Sequence, residues 1–513
     1  MVKKLFAFFL FLFSFHVLVE AQSVIELLGA DVIEYDQDLV DAERVKGNVR
    51  FKQDEVYMNC DSAYFYRKDN RIEAFGNIYI RQQDTFNLWG DYLKYDGDNK
   101  VAYVRDNVKL RDEKMELTTD LVQYNVETKT AYYTTGGKII NGQDKLTSER
   151  GSYNSRSNVF FFKEKVILVN PEYRMTSDTL QYNTLTKIAY FYGPTYITSE
   201  ENTIFCRNGW YNTIANTSQF SQGAWIQGKD NKLVADSMTY NRETGVGQAF
   251  KNITLIDTVE NIRIEGQHGI SYRNIGKTII SGNPMAIKYF DDDSLFLVAD
   301  TLVDVVDSVG RRLSAYYNTV IYKLDMQGVA DSLVYSFTDS TITLLGDPVL
   351  WTEENQITGD TIIIYRKNGQ MDKMDVMENS FIASKVEEKI FNQIDGTDMT
   401  AYFKNNKLHK VRVIGNGQSV YYVQEEDSSY VGVNYIICSE MLITIVDNKV
   451  EDVGYYDKPK GGFYPVEDLP ADKRILENYV WYPERKPNLD YMESRRKVQD
   501  NERPESVKDL FNK

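Results

Sequence analysis

Asp120-Leu121-Val122-Gln123-Tyr124-Asn125 returns as Asp178-Thr179-Leu180-Gln181-Tyr182-Asn183 and again as Asp236-Ser237-Met238-Thr239-Tyr240-Asn241, and this recurrence decides the fold. Further copies are Asp61-Ser-Ala-Tyr64, Asp91-Tyr-Leu-Lys-Tyr95, Asp331-Ser-Leu-Val-Tyr335 and Asp360-Thr-Ile-Ile-Ile-Tyr365, with weaker ones at 149–154 and 208–212. Their starts at 61, 91, 120, 149, 178, 208 and 236 step by 28 to 30 residues, and a second phase runs through 300, 331 and 360. A fixed period of this length marks a stacked repeat. Between copies lie Gly76-Asn77, Asp106-Asn107, Gly136-Gly137, Gly193-Pro194, Gly282-Asn283 and Gly346-Asp347, read as turns that open a second short strand, because Gly and Asn supply positive φ. Each unit is then strand, turn, strand, turn, and Val24 to about Tyr455 holds about fifteen units.

Within the repeated strand the two faces separate. One carries Val122, Tyr124, Leu180, Tyr182, Met238, Tyr240, Leu333, Tyr335, Ile362 and Ile364; the other is mostly polar, with Gln123, Gln181, Ser237, Thr239 and Ser332. Alternation with period two means one buried and one wet face, and helical periodicity is absent. The expected fold is all-β, an elongated repeat array. Ile78, Leu93, Val108, Val122, Leu180, Met238, Leu333 and Ile362 are the candidate ligand-lining positions.

Composition agrees. The 513 residues include 37 Tyr and 25 Phe against only 10 Pro, a strand-rich profile. Residues 1–21 have the build of a cleaved secretory signal: Lys3 and Lys4, an apolar run from Leu5 to Leu18, then Val19-Glu20-Ala21. That run is shorter than the roughly 20 residues a spanning helix needs, though an uncleaved anchor is the alternative. The expected organisation is a signal at 1–21, a repeat domain at 22–456, and a Pro-containing, charged extension at 457–513 whose Tyr479-Val-Trp481-Tyr482 cluster docks onto the last strands or onto a partner. A net charge of −16 repels phosphate backbones, so nucleic acid is not the expected partner.

Catalysis needs convergent groups, and the sequence offers none. His268 and His409 lie far apart with no Cys or second His at ligand spacing, so no metal, cofactor or enzymatic activity is implied. The recurring Asp is read as structural, accepting backbone N–H bonds from the turn. Cys60, Cys206 and Cys438 are separated by whole numbers of repeats, which puts them in one column many strands apart and predicts three free, buried thiols.

The iterated Gly-Asn-Val or Gly-Asp segments, as in Gly47-Asn48-Val49, Gly76-Asn77-Ile78, Gly90-Asp91, Ala235-Asp236 and Gly359-Asp360, resemble the OstA-like domain of the LptA-type lipopolysaccharide transport proteins. The resemblance covers roughly residues 24–455. It implies an open antiparallel β-jellyroll whose apolar trough carries the acyl chains of lipid A. It also implies a periplasmic location, with lipopolysaccharide and the transport proteins of the inner and outer membrane as partners. Three rivals share parts of the pattern. An adhesin or structural β-solenoid should have a sealed core where a conduit has an open groove. A polysaccharide-cleaving parallel β-helix needs a cluster of catalytic side chains, and a transmembrane barrel needs a continuously apolar outer face.

Overall fold

The computed structural model describes residues 23–35, 41–82, 86–112, 115–290, 293–367, 370–405, 407–425, 429–446, 449–492 and 494. The signal at 1–21 and the end of the charged extension lie outside the described residues. The chain divides into two compact units, 1–185 and 186–513.

In the N-terminal unit, long strands follow one another as Glu43–Gln53, Val56–Tyr66, Arg71–Gln82, Phe86–Asp96, Val101–Asp112 and Met115–Asn125, each antiparallel to the next. The C-terminal unit repeats the plan, for example in Thr217–Gln227, Asn231–Asn241 and Val246–Asp257. These antiparallel ladders exclude the parallel β-helix.

Three of the six expected turns, Gly76-Asn77, Asp106-Asn107 and Gly193-Pro194, lie inside unbroken strands and not between short ones. Gly76 and Asn77 sit in the middle of Arg71–Gln82, where the ladder skips from Phe75 to Ile78 and both residues have positive φ, 74° and 44°. The same skip recurs between Arg105 and Val108, Ser221 and Ala224, Phe250 and Ile253, and Met377 and Ser380. A bulge bends its strand, so each strand passes from one sheet to a second. We call these sheets wing A, which contains Met58 and Ile80, and wing B, which contains Phe65 and Ile72. A Cβ added at Gly76 would lie 2.4 Å from the Asp61 carboxylate, which explains the glycine there. Where proline follows the bulge the strand breaks in two, as in Lys277–Ser281 and Met285–Tyr289 around Pro284, because proline cannot donate to the ladder.

The repeated Asp bonds to the bulge rather than to a turn. Asn77 Nδ2 donates to Asp61 Oδ2 at 2.9 Å, Asn107 to Asp91 at 2.6 Å, Asn252 to Asp236 at 3.0 Å and Asn318 to Asp300 at 2.8 Å. The hairpins are made by the residue after the repeated Tyr. Asn125, Asn154, Asn212 and Asn241 each accept a backbone N–H three residues on, at 2.7 to 3.0 Å, the bond that starts an Asx turn.

In the C-terminal unit, Lys460–Tyr464 pairs with Val433–Ile437, so the sheet continues past residue 456. The chain then runs back across the outer face of wing A of this unit. Leu476 N–H donates to Gln393 Oε1 at 2.9 Å, Gln356 Nε2 to the Val480 carbonyl at 2.7 Å, and Met492 is buried against Met285, Ile287 and Val298. Tyr479 and Trp481 pack on Phe391, with ring centroids 5.3 and 5.0 Å away.

Candidate functional site

All eight candidate lining residues point inward, and each is 0–3% exposed. In the N-terminal unit, Leu93 and Val122 flank Val104 on adjacent strands of wing B, while Ile78 and Val108 lie on wing A beside the bulges. Leu180 pairs with Phe162. In the C-terminal unit, Met238 lies between Phe220 and Ala249, and Leu333 and Ile362 flank Leu344 within one apolar cluster. That cluster draws on both wings, taking Leu350 and Ile382 from wing A. The polar alternates Gln123, Gln181 and Thr239 are half-buried on the outer face; Thr179, at 8%, is buried.

The interior is filled and its mouth is bridged, where an open trough was expected. Phe51 of wing A meets Phe65 of wing B with ring centroids 5.4 Å apart, and Phe86 stacks on Tyr124 at 4.2 Å. At the free edges of the wings in the N-terminal unit, polar contacts at three successive repeats join A to B. Tyr95 Oη donates to Gln53 Oε1, Tyr124 Oη to Gln82 Oε1, and Tyr153 Oη to Asp112 Oδ2 at 2.5 Å. The same amides donate to backbone carbonyls of wing B turns, Gln53 to Gly97 at 2.9 Å and Gln82 to Val126 at 3.3 Å. Burial, reinforced by Asp54 near Tyr95 and by Asp112 near Tyr124, pushes both phenol pKa values up. Alternation places Tyr124 on the buried face, but nothing local to it names a partner for its hydroxyl. The available signal was a second 29- to 30-residue column, Gln53, Gln82 and Asp112.

The C-terminal unit bridges its wings with charge. Arg311 donates to Asp257 and, at 3.0 and 3.1 Å, to Asp304. Burial works against the Asp257 carboxylate, but the Glu260 backbone N–H and the Arg311 guanidinium outweigh it and hold its pKa below the ordinary value. The Arg366 guanidinium lies 4.5 Å from the Phe290 ring centroid, and Lys288 Nζ lies 5.4 Å from that of Phe337.

The remaining candidates for chemistry stay dispersed. His268 and His409 are exposed, and among the described residues no group of three or more His, Cys, Asp or Glu is placed to hold a metal ion. Cys60, Cys206 and Cys438 are free and buried, each beside a bulge in wing A. Burial, with Asp61 nearby, pushes the Cys60 thiol up to about 12, and burial alone does the same to Cys206. A polar cleft of about 870 Å³, lined by Asn379, Asp395, Asn416, Lys458 and Asn478 among others, lies along the bulges of the last strands and not in the apolar interior.

Comparison with known proteins gives two family matches. A model described as OstA-like protein matches residues 22–178 and 175–236. One described as LptA/(LptD N-terminal domain) LPS transport protein matches residues 275–370. No curated protein matches the chain. Among solved structures, the chain is similar to LptH, the LptA-homologous periplasmic component of the lipopolysaccharide transport device of Pseudomonas aeruginosa. That likeness has 13% identity and a TM-score of 0.22, and covers 27% of this chain and 95% of that one.

Proposed function

This chain belongs to the OstA-like lipopolysaccharide transport family, and from that premise we propose that it acts in the periplasm, holding the acyl chains of lipid A between its two wings. The transport proteins of the inner and outer membrane are its proposed partners. The observation that carries the reading is the apolar inner face that both units present; the three polar contacts that close its edge in the N-terminal unit have to part for a lipid to reach it.

Magnitudes favour it. A neutral hydrogen bond contributes about 0.5–1.5 kcal/mol net. Burying an apolar chain of about ten carbons contributes roughly 8 kcal/mol before the cost of parting the wings. Acyl chains can therefore displace two or three such bonds and take over the contacts that the inward side chains now make with each other. The interior is a column of equivalent positions, which suits a ligand that slides.

The filled interior is also what a structural array needs, so a scaffold is the second reading. Photo-crosslinking in cells making labelled lipopolysaccharide separates the two. Probes at Val122, Leu180, Met238, Leu333 and Ile362 should give lipid adducts, and probes at Gln123, Gln181 and Thr239 few. Equal labelling of both faces, or none on either, would leave the scaffold. Val122→Asp should abolish transport, because a desolvated carboxylate costs several kcal/mol or takes up a proton.

A further inference from the structure

The residue before each bridging residue on wing A of the N-terminal unit is a cation: Lys52 before Gln53, Arg81 before Gln82, Arg111 before Asp112. Strand alternation turns the bridging side chain inward and the cation outward, so the three cations line the outer rim of the mouth. They stand two strands apart, about 10 Å from one to the next.

Aromatic and amide groups fill the spaces between them. Tyr57 lies between Lys52, whose Nζ is 5.6 Å from the ring centroid, and Arg81, whose Cζ is 5.2 Å away. Asn87 lies between Arg81 and Arg111 and accepts the Tyr79 hydroxyl at 2.7 Å. Tyr79 stacks on Trp89, with ring centroids 5.4 Å apart and planes inclined by 21°, in the next row back from the mouth. Arg111 pairs with Glu116 at 2.8 Å, whereas Lys52 and Arg81 make no ion pair among the described residues. A chain with net charge −16 thus puts cations and rings along the edge through which a lipid would enter.

We propose that this rim binds the phosphorylated saccharide headgroup of the lipid whose acyl chains occupy the interior. The proposal rests on the acyl-chain reading and adds the specificity element that reading lacks. Guanidinium and ammonium groups recognise phosphate. Tyrosine and tryptophan faces accept the apolar face of a sugar ring while their polar edges stay wet. Cations about 10 Å apart suit a headgroup whose phosphates are separated by one or two sugar rings.

The test compares the full chain with its Lys52→Gln/Arg81→Gln/Arg111→Gln variant. Binding of phosphorylated lipid A, and of dephosphorylated lipid A with the same acyl chains, is measured for each. The wild type should prefer the phosphorylated lipid on the order of tenfold, and the variant should bind both at the dephosphorylated level. The double variant Lys52→Gln/Arg81→Gln, which leaves the Arg111–Glu116 pair intact, should show most of the loss and unchanged thermal unfolding. Equal wild-type affinity for both lipids overturns the headgroup site and leaves the acyl-chain reading standing; binding of neither overturns both. Binding to anionic phospholipid vesicles without lipid A, lost in the variant, would make the rim a membrane-docking surface and overturn the proposal.

Discussion

The N-terminal unit closes its interior with phenols bonded to two amides and one carboxylate, the C-terminal unit with a guanidinium between two carboxylates and with cations over rings. Both closures stand at the same place in the bent-strand plan, where the free edges of the wings meet. A neutral bridge such as Tyr124 to Gln82 breaks at small cost and reseals without moving charge. The Arg311 bridge holds three charges, each no more than 21% exposed, that must all stay paired. On the transport reading the first is the better place for a lipid to part the wings, and the second the better place to keep them shut.

Removing single partners should expose this difference. Arg311→Met strands Asp257 and Asp304, and should destabilise the C-terminal unit by about 3–5 kcal/mol in denaturant unfolding. A loss below about 1 kcal/mol would mean that water already solvates the bridge.

Titration should separate the units next. The Tyr95 and Tyr124 phenols have raised folded pKa values, so their contribution is complete below the unfolded value near 10 and is lost as pH climbs through the folded value. The Asp257 carboxylate has a lowered folded pKa, so its contribution is complete above the unfolded value near 3.9 and is lost as pH falls through the folded one. Hydrogen exchange should rise in alkali at the strand ends around Tyr95 and Tyr124, and in acid at those around Asp257 and Arg311. The opposite pattern would contradict the assignment of the two closures.

Smaller effects follow from the neutral groups. Tyr124→Phe leaves the Gln82 carbonyl without its phenol, and should cost about 1–3 kcal/mol in the N-terminal unit alone. Asn77→Ala removes an exposed bond to Asp61 and puts alanine at positive φ; its cost should stay near 1 kcal/mol, with the ladder intact by NMR.

The repeat, the two-faced strands and the free cysteines were legible because each rests on residue type at a fixed period. The Gly-Asn bulges were misread as turns because a turn and a bulge both need positive φ, and only the partner strand distinguishes them. The buried face of each repeated strand follows from alternation. The bridges do not, because Gln82 and Tyr124 are 42 residues apart and nothing local to either names the other. The path of residues 465–492 across wing A was open for the same reason: the sequence showed an aromatic cluster without the face that receives it.

The central claim, that the wings hold the acyl chains of a glycolipid, is tested most directly by extracting the full chain purified from an envelope that makes lipopolysaccharide and identifying the lipid by mass spectrometry. The account predicts a lipid A-containing glycolipid bound to the native chain and absent from folded Val122→Asp. A chain that carries no such lipid, or a folded Val122→Asp that retains it equally, would contradict it.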